Sequence, residues 1–395
     1  MDFKYSAQVR LLLPDIRAFI EEEVMPLEGR FLAEGFGSIE LQLDDLRDEV
    51  KRQGWWLPHL SEKHGGLGLS LLEYGPISEE LGRTFMGHYV FNAQAPDAGN
   101  MEILLEHGTP EQRATYLKPL LEGRVRSCFA MTEPARAGSN PTIMDTVAVR
   151  HGDAFHINGR KWFTTGADGA SFAIVMAITD PEAPAYKRAS QLIVPLPHPG
   201  YKHLRNISVM GEAGEGYSSH AEIAFDNCVV PQENVLGEVG EGFAIAQDRL
   251  GPGRIHHCMR WIGVCERVFG LVIEHVRSRE LREGSSLGHA QLTRAWLAQT
   301  RAEIDAARLM VLRTAWHIDE AGAYHAKQDI STIKFLVAGV LNRVLDGAIQ
   351  LHGALGVTDD TPIAYWYRHE RAARIYDGPD EVHKMSVAKS ILKKG

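Results

Sequence analysis

The chain has 395 residues, 44% of them hydrophobic and 24% charged. That balance supports a large buried core in two or three units of about 100–200 residues, and it excludes disordered and collagen-like classes. The net charge of −9, with no long run of Lys or Arg, argues against nucleic acid as a partner, because phosphate binding needs a concentrated positive field.

An anionic ligand would have to be met by local Arg or Lys, or by helix N-termini and backbone N–H groups. Cys128, Cys228, Cys258 and Cys265 show no CxxC spacing, so reduced thiols in a cytoplasmic protein are expected rather than a disulfide framework. Cys258 and Cys265 can share one helix face as small buried hydrophobes. The N-terminal segment has no long apolar core and runs into Glu21, Glu22 and Glu23, unlike a transit peptide. No window reaches the roughly 18 apolar residues of a membrane span. Residues 389–395 carry no peroxisomal or lipidation signal.

In chain order, Ile16, Phe19, Ile20 and Val24 fall at helical spacing. Asp45 to Lys51 is a second amphipathic piece ended by Gly54, and Leu71 to Leu81 is a third. Thr109, Pro110 and Glu111 read as a helix start, with Thr as cap and Pro in the first helical position. The character changes near residue 128. Thr146 to Val149 is short and β-branched, and Asn158-Gly159 between apolar runs predicts a hairpin turn. Phe172 to Ile178 and Gln191 to Leu196 are further strands, and Ala221 to Val230 closes the region with Asp226-Asn227 as a turn. From about residue 240 the helical period returns, with Arg294 to Leu312 and a stripe of Ile333, Leu336, Val337, Val340, Leu341, Val344 and Leu345. The expected fold is mainly α with a central β-domain: an N-terminal helical domain over 1–127, an antiparallel β-domain over 128–237 and a helical bundle over 238–395. Strands and helices do not alternate and no GxGxxG joins a strand to a helix, so a Rossmann sheet is not expected.

Three segments have the composition of a site. Residues 128–140 form a polar, Gly-containing loop where helix gives way to sheet; its hydroxyls and N–H groups suit a flavin edge and a pyrophosphate, or simply join two domains. Residues 162–166 place aromatics beside hydroxyls, which suits a stacked heterocycle or an ordinary sheet core. Residues 374–381 break a helix at Asp377, Gly378 and Pro379 and expose a carboxylate, which serves as a base or as a helix cap.

Together, Thr132-Glu133-Pro134 with Gly138-Ser139, Asn158-Gly159-Arg160-Lys161 leading to Phe163-Thr164-Thr165, Tyr376-Asp377-Gly378, and Gln350-Leu351-His352-Gly353 resemble the acyl-CoA dehydrogenase family over nearly the whole chain. Residues 92–101 and 249–260 look like one branch, whose larger members carry a fused phosphotransferase-like kinase domain; none is expected within these 395 residues. The resemblance implies FAD as cofactor and α,β-dehydrogenation of an acyl-CoA thioester in fatty acid β-oxidation. It makes Asp377 the base for the α-proton, sends the β-hydride to flavin N5 and passes electrons to an electron-transfer flavoprotein. Hydrogen bonds to the thioester carbonyl would stabilise the enolate, and a carboxylate in a dry pocket is a better base. Phe129, Met131 and Thr132 would contact the isoalloxazine, Phe163 would lie against it, and Thr165 would face N5 and O4. Ser139 would lie near the FAD pyrophosphate and the CoA arm. Arg279 would meet the FAD diphosphate of a neighbouring subunit, whose adenosine site Gln350, Gly353 and Ala354 would line. Glu381 is assigned to the cofactor, and Arg254 and Gly378 to the substrate. Shared sites imply a homodimer or homotetramer.

The sequence also departs from the pattern. Most members have Glu where Asp377 stands, and related flavoenzymes that oxidise nitroalkanes use Asp, so a flavin oxidase of nitroalkane or acyl-CoA is the alternative. The Phe that usually follows the arginine at 279 is missing, and Gly251 replaces a CoA-contacting acid. His256-His257 invites a metal reading, but adjacent helical residues point different ways; packing or pocket lining is expected, and no metal.

Overall fold

The computed structural model describes residues 4–393; residues 1–3 and 394–395, which include the outer domain limits and the ends of the segments read for targeting signals, lie outside the described residues. The chain forms two compact units, one from Met1–Glu34, Ser38–Phe91 and Arg254–Gly395, the other from Gly35–Gly37 and Asn92–Gly253.

The first unit is helical. Helix Ala7–Phe19 opens on Ser6, whose hydroxyl accepts the Val9 N–H at 3.3 Å. Helix Glu40–Arg52 stops just before Gly54, which has φ +74°. Leu71–Leu81 opens on a reciprocal cap: Ser70 Oγ accepts from Glu73 N at 3.2 Å and Glu73 Oε2 accepts from Ser70 N at 3.0 Å, so two otherwise orphaned donors are satisfied. The later helices are Gly242–Ser278, whose residues from Arg254 on belong to this unit, then Gln291–Ala321, Lys327–His352, Pro362–Glu370 and Asp380–Leu392. On Lys327–His352 the predicted stripe is buried at Ile333, Val337, Val340, Leu341, Val344 and Leu345, while Leu336 is only half-buried at its margin. The stripe is interrupted by a cation, Lys334, which is fully buried.

The second unit carries an eight-stranded sheet. Its strands are β1 (Ser127–Ala130), β2 (Val147–His151), β3 (Ala154–Thr165), β4 (Phe172–Ile178), β5 (Ala189–Pro195), β6 (Tyr201–Asn206), β7 (His220–Pro231) and β8 (Val235–Leu236). The order is β6-β7-β3-β2-β4-β5-β8, with β1 paired to β4. The ladders are antiparallel except β1·β4 and β2·β4, which are parallel, so the sheet is mixed. β4 is buried at every position, as a strand covered on both faces must be. Residues 128–130, expected as the start of a loop, belong to strand β1 for this reason: Cys128 and Ala130 are fully buried and extend the ladder beside Ala173 and Val175.

The hairpin expected at Asn158-Gly159 is not there. The turn is Gly152-Asp153, with His151 opposite Ala154 and Gly152 at φ +61°. Asn158 and Gly159 lie inside β3 at a register shift against β7. A Cβ on Gly159 would sit 2.4 Å from Thr146 Oγ1, so the glycine permits a close backbone approach at a bulge rather than a reversal. Asp226-Asn227 is likewise a kink within β7, with Asn227 at φ +46°. All four cysteines are buried and free. Among the described residues no helix is long and apolar enough to cross a membrane.

Candidate active site

In the β-unit, the segment after β1 is held by a buried ion pair. Lys161 Nζ donates to Glu133 Oε1 and to the Met131 carbonyl, each at 2.9 Å, and neither Lys161 nor Glu133 is more than 3% exposed. Glu133 also accepts the N–H groups of Asp145 at 2.5 Å and Thr146 at 2.9 Å. Burial pushes its carboxyl up, but Lys161 and these donors outweigh that and hold it below its ordinary range. Thr132 adds a second tie: Oγ1 donates to the Trp162 carbonyl at 2.7 Å, and Trp162 N donates to the Thr132 carbonyl at 3.0 Å. Sequence reasoning missed this clamp. The available signal was a lysine at an inward position of a strand, four places beyond the buried Ile157.

Beyond the clamp, Phe163 is held at φ +49°, a conformation bulky residues rarely adopt, and its ring is 45% exposed, edge-on to Trp162 at 5.0 Å. Thr165 Oγ1 lies 2.9 Å from His220 Nδ1. Phe129, Met131 and Thr132 are half-buried, and Ser139 is on the exposed loop that follows. An aromatic ring displayed by strained backbone, beside partly open apolar side chains and hydroxyls, fits a stacked heterocycle.

In the helical unit, Asp377 and Gly378 form a turn in the left-handed region, at φ +53° and +97°. The turn is pinned from several sides. The Asp377 carbonyl accepts from Arg254 Nε at 3.0 Å and from His383 Nε2 at 3.1 Å. Lys334 Nζ donates to the carbonyls of Ala373 at 2.7 Å and Gly378 at 3.3 Å. Glu370, buried, pairs with Arg260 and accepts from Trp261 Nε1 at 2.9 Å. The Tyr376 hydroxyl accepts from Arg260 Nη2 at 3.1 Å and donates to Glu370 Oε2 at 3.3 Å. The Asp377 carboxylate is 19% exposed, with Oδ2 3.3 Å from His257 Nε2. His257, expected to pack or to line a pocket, thus also meets the Asp377 carboxylate. Its spacing was the missed signal: 254, 257, 260 and 261 share one helix face, and each touches the 370–378 segment.

The remaining predicted residues make none of the contacts just described. Glu381 is exposed in the first turn of Asp380–Leu392. Arg279, Gln350, Gly353 and Ala354 are exposed, at helix ends joined by the stacked rings of His275 and His352, 4.3 Å apart. Among the described residues, Glu106, His107 and Asp248 of the β-unit bring possible ligand atoms within 4.8 Å of one another; nothing beyond that proximity points to an ion.

Burial depresses several imidazoles in the helical unit. His383 is pushed down to about 4, by burial first and then by Arg254, and His59 to about 3, by burial and then by His256. Both bind protons more weakly folded than unfolded. Their contribution to stability is therefore complete above pH 6.5 and is lost as the pH falls from 6.5 through the folded values. Each should cost about 2 kcal/mol by pH 5. Melting temperatures measured from pH 7.5 to 4.5 should start to fall near 6.5, well above the carboxylate range. A flat profile down to pH 5 would contradict this.

Family descriptions for the N-terminal, middle and C-terminal domains of acyl-CoA dehydrogenase match residues 6–124, 128–228 and 240–392. "Probable acyl-CoA dehydrogenase FadE2" of Mycobacterium tuberculosis is 44% identical over 355 residues, covering 89% of this chain and 86% of that one. Acyl-CoA dehydrogenase family member 10 of Mus musculus is 42% identical over 400 residues, covering 98% of this chain but only 37% of its own length. A solved chain from Mycobacterium abscessus, assigned as an acyl-CoA dehydrogenase, has a TM-score of 0.94 at 39% identity and covers 99% of this chain and 100% of that one.

Proposed function

The chain belongs to the acyl-CoA dehydrogenase family and is an FAD-dependent oxidoreductase, and from that premise we propose that it dehydrogenates an acyl-CoA thioester with Asp377 as the base. The observation that carries this reading is the Asp377 turn: a carboxylate in a left-handed backbone, fixed by Arg254, His383 and Lys334 at its own and its neighbours' carbonyls. Backbone strain of this kind persists only where the surroundings over-determine it, and it concentrates at sites of chemistry. Bound FAD supplies the acceptor for the β-hydride at N5.

The chain's own residues do the rest. Asp377 takes the α-proton, and its N–H is the donor assigned to the thioester carbonyl. Phe129, Met131, Thr132, Phe163 and Thr165 hold the isoalloxazine, and the Lys161–Glu133 pair sets their segment. Ser139 lies toward the pyrophosphate and the CoA arm, and Arg254 and Gly378 toward the substrate. Glu381 contributes to the cofactor site. Arg279, Gln350, Gly353 and Ala354 bind the FAD of a second copy in a homodimer or homotetramer; the exposed apolar Leu355 and Val357 beside them support that. Electrons pass to an electron-transfer flavoprotein, in β-oxidation in the cytoplasm. A three-part division at 127 and 237 fits the limits of the family matches. The similarity to family member 10 supports the branch whose larger members carry a kinase-like domain.

Anaerobic incubation of the FAD-loaded protein with acyl-CoAs of differing length, branching and hydroxylation, followed by air, tests the reading. Bleaching that persists in air supports a dehydrogenase. Fast reoxidation with peroxide would replace it with the oxidase, the reading that Asp at 377 keeps open.

Gly378→Ala should slow bleaching by about 100-fold, the cost of roughly 1 Å of misplacement at a reacting group. The residue has φ +97°, and a Cβ would sit 2.8 Å from His383 Nε2. Stopped-flow bleaching at saturating substrate measures this. A parent-like rate would mean that the turn tolerates a shift and that the carboxylate's placement is not critical.

A further inference from the structure

Asp377 is one methylene shorter than the Glu common at this position, so the direction in which its carboxylate points matters more than usual. The structure supplies a means of setting it. His257 Nε2 lies 3.3 Å from Asp377 Oδ2, with both side chains half-buried, at 18% and 19% exposure. The imidazole is itself fixed. It stacks on Trp261 with centroids 5.7 Å apart at 18°, and it packs on Tyr376 at 4.9 Å. Trp261 and Tyr376 are in turn hydrogen-bonded to Glu370. A rigid donor thus meets one carboxylate oxygen and leaves the other unrestrained by it.

We propose that His257 is a positioning residue for the reaction, donating its Nε2–H to Oδ2 of Asp377 so that Oδ1 is presented to the substrate's α-carbon. The proposal rests on the reading of Asp377 as the base. In the step, the α-C–H bond breaks, the proton forms an O–H bond at Oδ1, and the electron pair stays on the enolate. His257 keeps its Nε2 proton and stays neutral throughout.

The groups around the imidazole agree with a neutral donor. Arg260 and Glu370, which oppose each other, face it from its own helix and from Pro362–Glu370. Lys334 lies behind both aromatic rings, 5.4 Å from Trp261 and 5.5 Å from Tyr376. His88 is close enough to share electrostatic effects with it, and Arg254 shares the Asp377 turn. Burial lowers the His257 pKa first of all, and Asp377 only partly offsets that. A neutral imidazole donating at Nε2 has a bare Nδ1.

The test uses FAD-loaded parent, His257→Gln, His257→Leu and Asp377→Asn proteins. Nitrogen-15 spectra of histidine-labelled parent, assigned against His257→Gln, should show His257 as the neutral Nε2–H tautomer; an Nδ1–H tautomer would overturn the proposal even if His257→Leu did not fold. In stopped-flow bleaching, His257→Leu should lower the limiting rate about 10- to 100-fold with FAD still bound, the loss expected for one hydrogen bond to a charged group. It should also move the acid limb to higher pH, because a donor to the carboxylate has been removed. His257→Gln, which keeps an N–H donor, should restore both in large part. Equal losses in Gln and Leu variants with an unmoved acid limb would reduce His257 to packing. Parent-rate bleaching by Asp377→Asn would instead remove the base reading, and the proposal with it.

Discussion

Asp377→Asn is expected to abolish substrate-driven flavin reduction, by about 10³- to 10⁴-fold, while FAD content and melting temperature stay at parent values. The amide is nearly isosteric, and the hydrogen bonds described above that pin the turn end on backbone carbonyls, that of Asp377 among them. The fold therefore has little reason to respond. What is lost is the group proposed to accept the proton. The companion Asp377→Glu should keep measurable bleaching, slowed by about 10- to 100-fold, because the extra methylene displaces the carboxylate by roughly 1 Å. Rapid mixing under anaerobic conditions, read at the flavin absorbance, distinguishes the two. An Asn variant that bleaches at the parent rate would place the base elsewhere in the chain.

The Asp377 turn was legible in the sequence because its signal is local: an acid on a step of Gly378 and Pro379 breaks the helical period wherever it occurs. The stripe from Ile333 to Leu345 was legible for a similar reason, since a long repeat at helical spacing has few competing structures. Asn158-Gly159 shows the limit of local signals. The pair suits a hairpin turn and a strand bulge equally, and the choice was made by Thr146, whose approach leaves no room for a Cβ at 159. His257 was missed because it was read against its neighbour His256 rather than against Arg254, which is one helical turn away on the same face. Lys334 and Glu370 were invisible in a stronger sense. Lys334 is a charge in an apolar stretch and Glu370 is one of a charged run with Arg368, His369 and Arg371, and their partners become neighbours only when Gly242–Ser278, Lys327–His352, Pro362–Glu370 and the 371–378 segment pack together.

Lys161 belongs to the same class, and replacing it carries the second large effect. Lys161→Met should destabilise the protein by about 3–5 kcal/mol, because it leaves the Glu133 carboxylate buried without its cation. The loss should also reach the cofactor. Lys161 holds the Met131 carbonyl as well as Glu133, so the segment assigned to the isoalloxazine loses its anchor on β3, and the protein should purify with less FAD. A second change separates the two consequences. Lys161→Met combined with Glu133→Gln removes the uncompensated charge and keeps one acceptor oxygen, enough for the N–H of Asp145 or of Thr146 but not for both. It should recover part of the stability, as coupled partners do, but not the FAD content, since the Met131 carbonyl still has no donor. Urea unfolding measures the first quantity and the flavin-to-protein absorbance ratio the second. If the single variant kept parent stability, the buried pair would not be fixing the segment. If the double variant recovered FAD along with stability, the pair would act on the cofactor through stability alone.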